Sequence, residues 1–167
     1  MYRTLPYFGL FAAAVLLQVF LFDNLSISVY FNPLVYIVFI ALLPLETLPV
    51  AVLGAGLALG VTMDCVMGAA GINTIATLLI AFLRPTLIGM LYGRENAREG
   101  GVPSSARFGG YLVALTLIHH AVFFSLEALS WIHLPHTLLR IAVSSAVSVG
   151  FIWIIARIFT AKLPLRV

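Results

Sequence analysis

The stretch Gly54–Asn73, GAGLALGVTMDCVMGAAGIN, decides how the rest of the chain is read. Gly56, Gly60, Asp64 and Gly68 recur every four residues, which on a helix makes one slowly drifting ridge almost free of side-chain bulk. Small residues at this spacing let a second helix approach closely in lipid, where packing replaces the hydrophobic effect as the force that joins helices. The aspartate is the unusual member. A carboxylate in a spanning helix costs roughly 2.5–3.5 kcal/mol on insertion scales, so it is turned toward protein or trapped water and given a partner.

Composition places this ridge in a membrane. The chain has 167 residues, of which 62% are apolar and 9% charged, with a mean hydropathy of +1.12. At about 20 residues per span, this length allows roughly five to seven helices and leaves no room for a sizeable soluble domain. The net charge of +3 does not point to nucleic acid, because the basic residues lie in separate membrane-flanking loops and form no continuous face. Cys65 is the single cysteine, which excludes an internal disulfide and a thiolate metal cluster.

Outward from the ridge, hydropathy and turn residues predict an all-α bundle of six transmembrane helices in one domain covering residues 1–167. The spans run from about 5–22, 34–45, 50–67, 72–92, 108–129 and 136–159. The first apolar run continues past Ala12-Ala13-Ala14 with no small-residue cleavage site after it, so it is read as a retained helix. The Pro44–Pro49 segment predicts a tight turn, and residues 93–107, GRENAREGGVPSSAR, a flexible loop. In this plan Arg3, Arg94, Arg98, Arg107, Arg157, Lys162 and Arg166 share the side of the termini. The positive-inside rule then puts both termini in the cytoplasm. A five-span plan, with the short second span as a re-entrant loop, splits these cations between the two sides and is the weaker reading.

Two cations fall inside spans. Asp64, Glu127 and Arg140 are expected at similar depth near the outer surface, where an Arg140 fork would bridge one or both carboxylates. On the inner half, Arg84 is expected to reach Glu46 as an inner ion pair or to snorkel to the headgroups. Both sets read either as structural pairs fixing helix register or, for the outer set, as part of a docking or ligand site. His119-His120 point about 100° apart on a helix, and Pro135 interrupts His133 and His136, so no metal site is expected. No serine has a base at a defined spacing, and no HExxH, GxSxG or phosphate-loop motif is present, so no catalytic residue or cofactor is assigned.

The order Leu16-Leu17-Gln18 before Asp23-Asn24-Leu25, then Phe31-Asn32-Pro33, then Gly56, Gly60, Asp64, Gly68 and Gly71, resembles the rod shape-determining protein MreD family over nearly the whole chain. Phe22 stands where that family often has a proline before the Asp-Asn pair. The resemblance implies a non-enzymatic inner-membrane scaffold of the bacterial elongation machinery, acting in peptidoglycan synthesis and rod cell shape. Its implied partner is the single-span coiled-coil protein MreC, and through it the MreB filament, RodA and a class B penicillin-binding protein. It also implies a helical fold resembling the substrate-binding subunits of energy-coupling-factor transporters, and a vitamin-binding subunit of that kind is the alternative reading. On the scaffold reading, the Gly56, Gly60, Asp64 and Gly68 face borders an outer groove for a partner segment, with Glu127 and Arg140 beside it. Gly60→Leu is then expected to abolish partner association while leaving insertion intact.

Overall fold

A computed structural model describes residues 5–24, 30–92, 105–129 and 134–162. Among the described residues the architecture is all-helical, and four helices are long and apolar enough to cross a membrane, as in a multi-pass membrane protein. Helix α1 (Leu5–Leu17) continues into a π-helical turn, Gln18–Phe22. A four-residue helix α2 (Val38–Ala41) follows. The four long helices are α3 (Pro49–Met67), α4 (Ile72–Tyr92), α5 (Ser105–Ala128) and α6 (Leu134–Lys162). The pairs α3/α4, α4/α5 and α5/α6 pack as successive antiparallel neighbours, and α1 lies against α2 and α3.

The helix ends follow from local chemistry. Pro49 occupies the first turn of α3, where its missing N–H is not needed, and Leu48 before it is extended at φ −55°, ψ 135°. At the other end Gly68 takes the left-handed conformation (φ 67°) and returns its N–H to the Asp64 carbonyl at 2.9 Å, a turn that a side chain would strain. Ala70 (φ 48°) and Gly71 (φ 92°) complete the reversal into α4.

The expected second span over 34–45 is not a continuous helix: only Val38–Ala41 is α-helical, and residues 32–35 have no regular structure. Three features explain the difference. Pro33 and Pro44 bracket the run, and β-branched Val35, Ile37, Val38 and Ile40 are poor helix formers. Twelve helical residues would also span only about 18 Å. A partly extended chain, rising about 3.3 Å per residue where it is extended, reaches further. Every residue from 33 to 43 is buried, so this irregular backbone runs through the protein interior and is shielded from lipid. Non-helical backbone at membrane depth is tolerated only under such cover. Of the expected loops and flanks, Arg3, Arg94, Arg98, Trp131, His133, Arg166 and most of 93–107 lie outside the described residues.

Candidate functional site

The small-residue ridge is filled by the chain's own next helix. A Cβ placed at Gly60 would lie 2.5 Å from Thr74 Cα and 3.0 Å from its amide nitrogen, and one at Gly56 would lie 2.9 Å from Ala81 Cβ. These glycines let α3 and α4 meet almost backbone to backbone. Of the groove expected to receive a partner along Gly56, Gly60, Asp64 and Gly68, α4 thus occupies the part from Gly56 to Asp64, Gly68 lies exposed at the turn with nothing near its Cβ position, and bulk at Gly60 strikes the fold itself.

Asp64 finds its partner in the same hairpin. Its Oδ1 accepts from the Asn73 amide N–H and Asn73 Nδ2, both at 3.0 Å. Its Oδ2 accepts from the Thr74 amide N–H at 2.9 Å and from the Thr74 hydroxyl. A carboxylate from α3 therefore caps the first turn of α4, where unpaired N–H groups and the positive end of the helix dipole favour negative charge. The expected bridge from Arg140 to Asp64 does not form, because α4 already satisfies this carboxylate. Of the two carboxylates expected within its reach Arg140 bridges one, Glu127, Nη1 to Oε2 at 2.7 Å, on a partly exposed rim with its guanidinium 4.4 Å above the Phe124 ring.

Arg84 likewise takes different partners from those expected. Glu46 is exposed and forms no pair with it. Arg84 is 1% exposed, donates from Nη2 to the carbonyls of Leu43 and Pro44, and donates from Nε to the Tyr111 hydroxyl at 3.1 Å. Tyr111 in turn donates to the Ala41 carbonyl at 3.4 Å. The guanidinium fork suits several carbonyls that end an irregular segment, and Pro44 and Pro49 keep Glu46 in a turn at the surface.

These contacts belong to one arrangement. The backbone of residues 30–44 lacks continuous helical hydrogen bonds, and side chains from α1, α4, α5 and α6 replace them. Gln18 does most at the first end: Nε2 donates to the Pro33 carbonyl (3.0 Å), while Oε1 accepts from the amides of Val35 (2.7 Å) and Tyr36 (3.2 Å). The π-helical turn beginning at Gln18, closed by the Asp23 amide on the Gln18 carbonyl at 2.8 Å, buries both Gln18 and Phe22. Ser144 accepts from the Asn32 amide (3.2 Å) and donates to the Tyr30 carbonyl (3.1 Å).

The two adjacent histidines serve the same segment from different faces of α5. His120 Nδ1 faces the Thr116 carbonyl at 2.9 Å, an acceptor, so the ring's proton sits on Nδ1. Its Nε2 then accepts from Ser148 at 3.0 Å and from the Leu34 amide at 3.5 Å. For His119 the reasoning starts at Asp64, which can only accept and so turns the Asn73 NH₂ toward itself. Asn73 Oδ1 is left to accept the single Tyr36 hydroxyl proton at 2.8 Å. His119 Nε2, 2.9 Å from the same hydroxyl, must then be the donor, and its buried Nδ1 is a bare acceptor. A directed row of hydrogen bonds thus runs from His119 through Tyr36 and Asn73 to Asp64. The Asn73 amide cannot pass a proton along it, so the row orients groups and does not conduct.

Gln18, Tyr36, Asn73, Tyr111 and Ser144 carry this interior, and sequence reasoning gave none of them a role. The available signal was polar residues inside apolar runs at Gln18, Asn73, His119-His120 and Ser144. Among the described residues, no group of three or more His, Cys, Asp or Glu is placed to hold a metal ion. No protein-family model, curated protein or solved structure matches this chain.

Proposed function

We propose that this chain is a non-enzymatic scaffold of the bacterial inner membrane, of the MreD kind, which couples an MreC-like single-span protein and the wall synthases to the MreB filament. The ordered motif series from Leu16-Leu17-Gln18 to Gly71 carries the reading. The placement of those motif residues supports it. Gln18 clamps Pro33, Ser144 holds the Asn32 amide, Gly56 and Gly60 seat α4, and Asp64 caps it. Gln18, Asp64, Arg84, His120 and Ser144, polar groups that an intramembrane enzyme or solute carrier would turn toward a substrate, are here engaged with the chain's own backbone.

On this reading the chain crosses the membrane six times, the second crossing being the irregular 30–44 segment, with both termini cytoplasmic. Since α4 fills the ridge, the partner surface shifts to the outer rim of Tyr30, Glu127, His136 and Arg140, where Tyr30 and His136 stack with a 2.8 Å contact from hydroxyl to Nδ1. The test is mild-detergent co-purification from native membranes with mass spectrometry. Recovery of a single-span coiled-coil protein together with wall synthases is expected. Recovery of a pair of ATPases with a transmembrane coupling subunit would overturn the scaffold and assign a solute-binding subunit of the energy-coupling-factor type.

A further inference from the structure

One part of the interior keeps polar atoms that the chain itself does not satisfy. His119 Nδ1 and the hydroxyls of Thr116 and Thr77 have no hydrogen-bond partner among the described residues, and all three side chains are fully buried. Buried polar atoms in a folded interior are almost always paired, with protein or with ordered water.

The three atoms surround one place. His119 Nε2 is 2.9 Å from the Tyr36 hydroxyl, and the Thr77 hydroxyl approaches that same oxygen from α4 without reaching hydrogen-bond geometry. Thr116 precedes His119 by one turn of α5, a separation of about 5–6 Å between Cβ atoms. Side chains on a helix lean over the turn before their own, so the His119 ring, with Nδ1 on its backbone side, lies over Thr116. The gap is too wide for a direct bond and suits one small bridging molecule.

The facing atoms define what that molecule is. Nε2 carries the His119 proton, so Nδ1 only accepts and its partner has to donate. Each threonine hydroxyl can donate and accept. A cation would lack a counter-charge, because the carboxylate at the far end of the row, Asp64, has both oxygens engaged by Asn73 and Thr74. We propose that a single internal water binds here between α4 and α5, donating to His119 Nδ1 and exchanging hydrogen bonds with the hydroxyls of Thr116 and Thr77. That makes about three bonds, the usual complement of a buried water. The row from His119 to Asp64 is then fixed at both ends: Asp64 orients Asn73, and the water keeps the imidazole proton on Nε2, facing Tyr36.

The test is magic-angle-spinning NMR of the full chain in lipid bilayers, isotopically labelled at the isoleucine carbonyl carbon and throughout histidine. The chain carries His133→Gln, which leaves His119 as the only histidine that follows an isoleucine, so its ring nitrogens are read without ambiguity. A protonated Nε2 is expected, with an unprotonated Nδ1 shifted upfield of a free acceptor and a cross-peak from the ring to water. A free-acceptor position for Nδ1, or a proton on it, would overturn the site without reliance on any threonine variant. An upfield Nδ1 with no water cross-peak would make a protein group the donor and overturn it too. Thr116→Val removes one of the water's partners, so the melting temperature should fall and Nδ1 should move toward the free-acceptor position. A rise in melting temperature would mean that the substitution had relieved an unpaired hydroxyl, which overturns the assignment of Thr116 to the site.

Discussion

Replacing Gly60 by alanine adds a single methyl where the structure has no room. The new carbon would meet Thr74 Cα at 2.5 Å, and comfortable carbon–carbon contact needs about 3.5–4.0 Å, so α4 must withdraw from α3 by roughly 1 Å. Backbone atoms cannot swing aside as a flexible side chain can. One turn along, the Asp64 bonds to the amides of Thr74 (2.9 Å) and Asn73 (3.0 Å) would stretch toward 4 Å and fail. Overpacking costs about 1–3 kcal/mol and loss of a helix cap about 1 kcal/mol. Better helix propensity of alanine returns up to about 1 kcal/mol. The net expectation is a loss of about 1–3 kcal/mol, which at this chain length lowers the melting temperature by several degrees. Thermal unfolding in detergent, followed by tryptophan fluorescence, measures it. Gly54→Ala on the same helix is the control: nothing lies within 4 Å of its Cβ position, so only the propensity gain remains. If Gly60→Ala melts with Gly54→Ala, the close α3–α4 approach and the Asp64 cap that depends on it are refuted.

Two further outcomes follow from the interior and the rim. Gln18→Leu strands the Pro33 carbonyl and the Val35 and Tyr36 amides in an apolar interior at about 1–3 kcal/mol each, so the monodisperse yield on size-exclusion chromatography should collapse. Gln18→Glu keeps an acceptor for both amides and should fare better; equal yields of the leucine variant and the parent would defeat this assignment. For Arg140 and Glu127, 24% and 37% exposed, a double-mutant cycle with Arg140→Gln and Glu127→Gln should give a coupling of no more than about 1 kcal/mol. A coupling above about 2 kcal/mol would make the rim pair a fastening of the bundle.

Much of the architecture was legible from hydropathy and punctuation. The expected span 72–92 has the bounds of α4, and the break between the expected spans 50–67 and 72–92 falls where the left-handed residues make the turn. Helix existence follows from local composition, which a sequence displays directly. The partners of buried charges were not legible in the same way. Asp64 and Arg84 were paired with opposite charges by depth, whereas both bond to peptide groups: the open first turn of α4, and carbonyls of a segment that no helix serves. A peptide group is present at every position and leaves no mark in the sequence, so charge matching alone overlooks it. The ridge carried a related ambiguity, since a small-residue face is the same whether it meets another protein or the next helix of its own chain.

The segment from Tyr30 to Pro44 also constrains how this protein is made. Helices that satisfy their own peptide groups can enter a bilayer one at a time and associate later. This segment cannot, because only Gln18 among its side-chain partners precedes it and the others are synthesised after it: Arg84, Tyr111, His120 and Ser144, the last 112 residues beyond Asn32. Until α6 has left the ribosome, the peptide groups of 30–44 must stay in water, at the interface or in the keeping of the insertion machinery. The bundle therefore closes in an order set by its last helix, and truncation ahead of Ser144 would forfeit the centre of the protein along with its end.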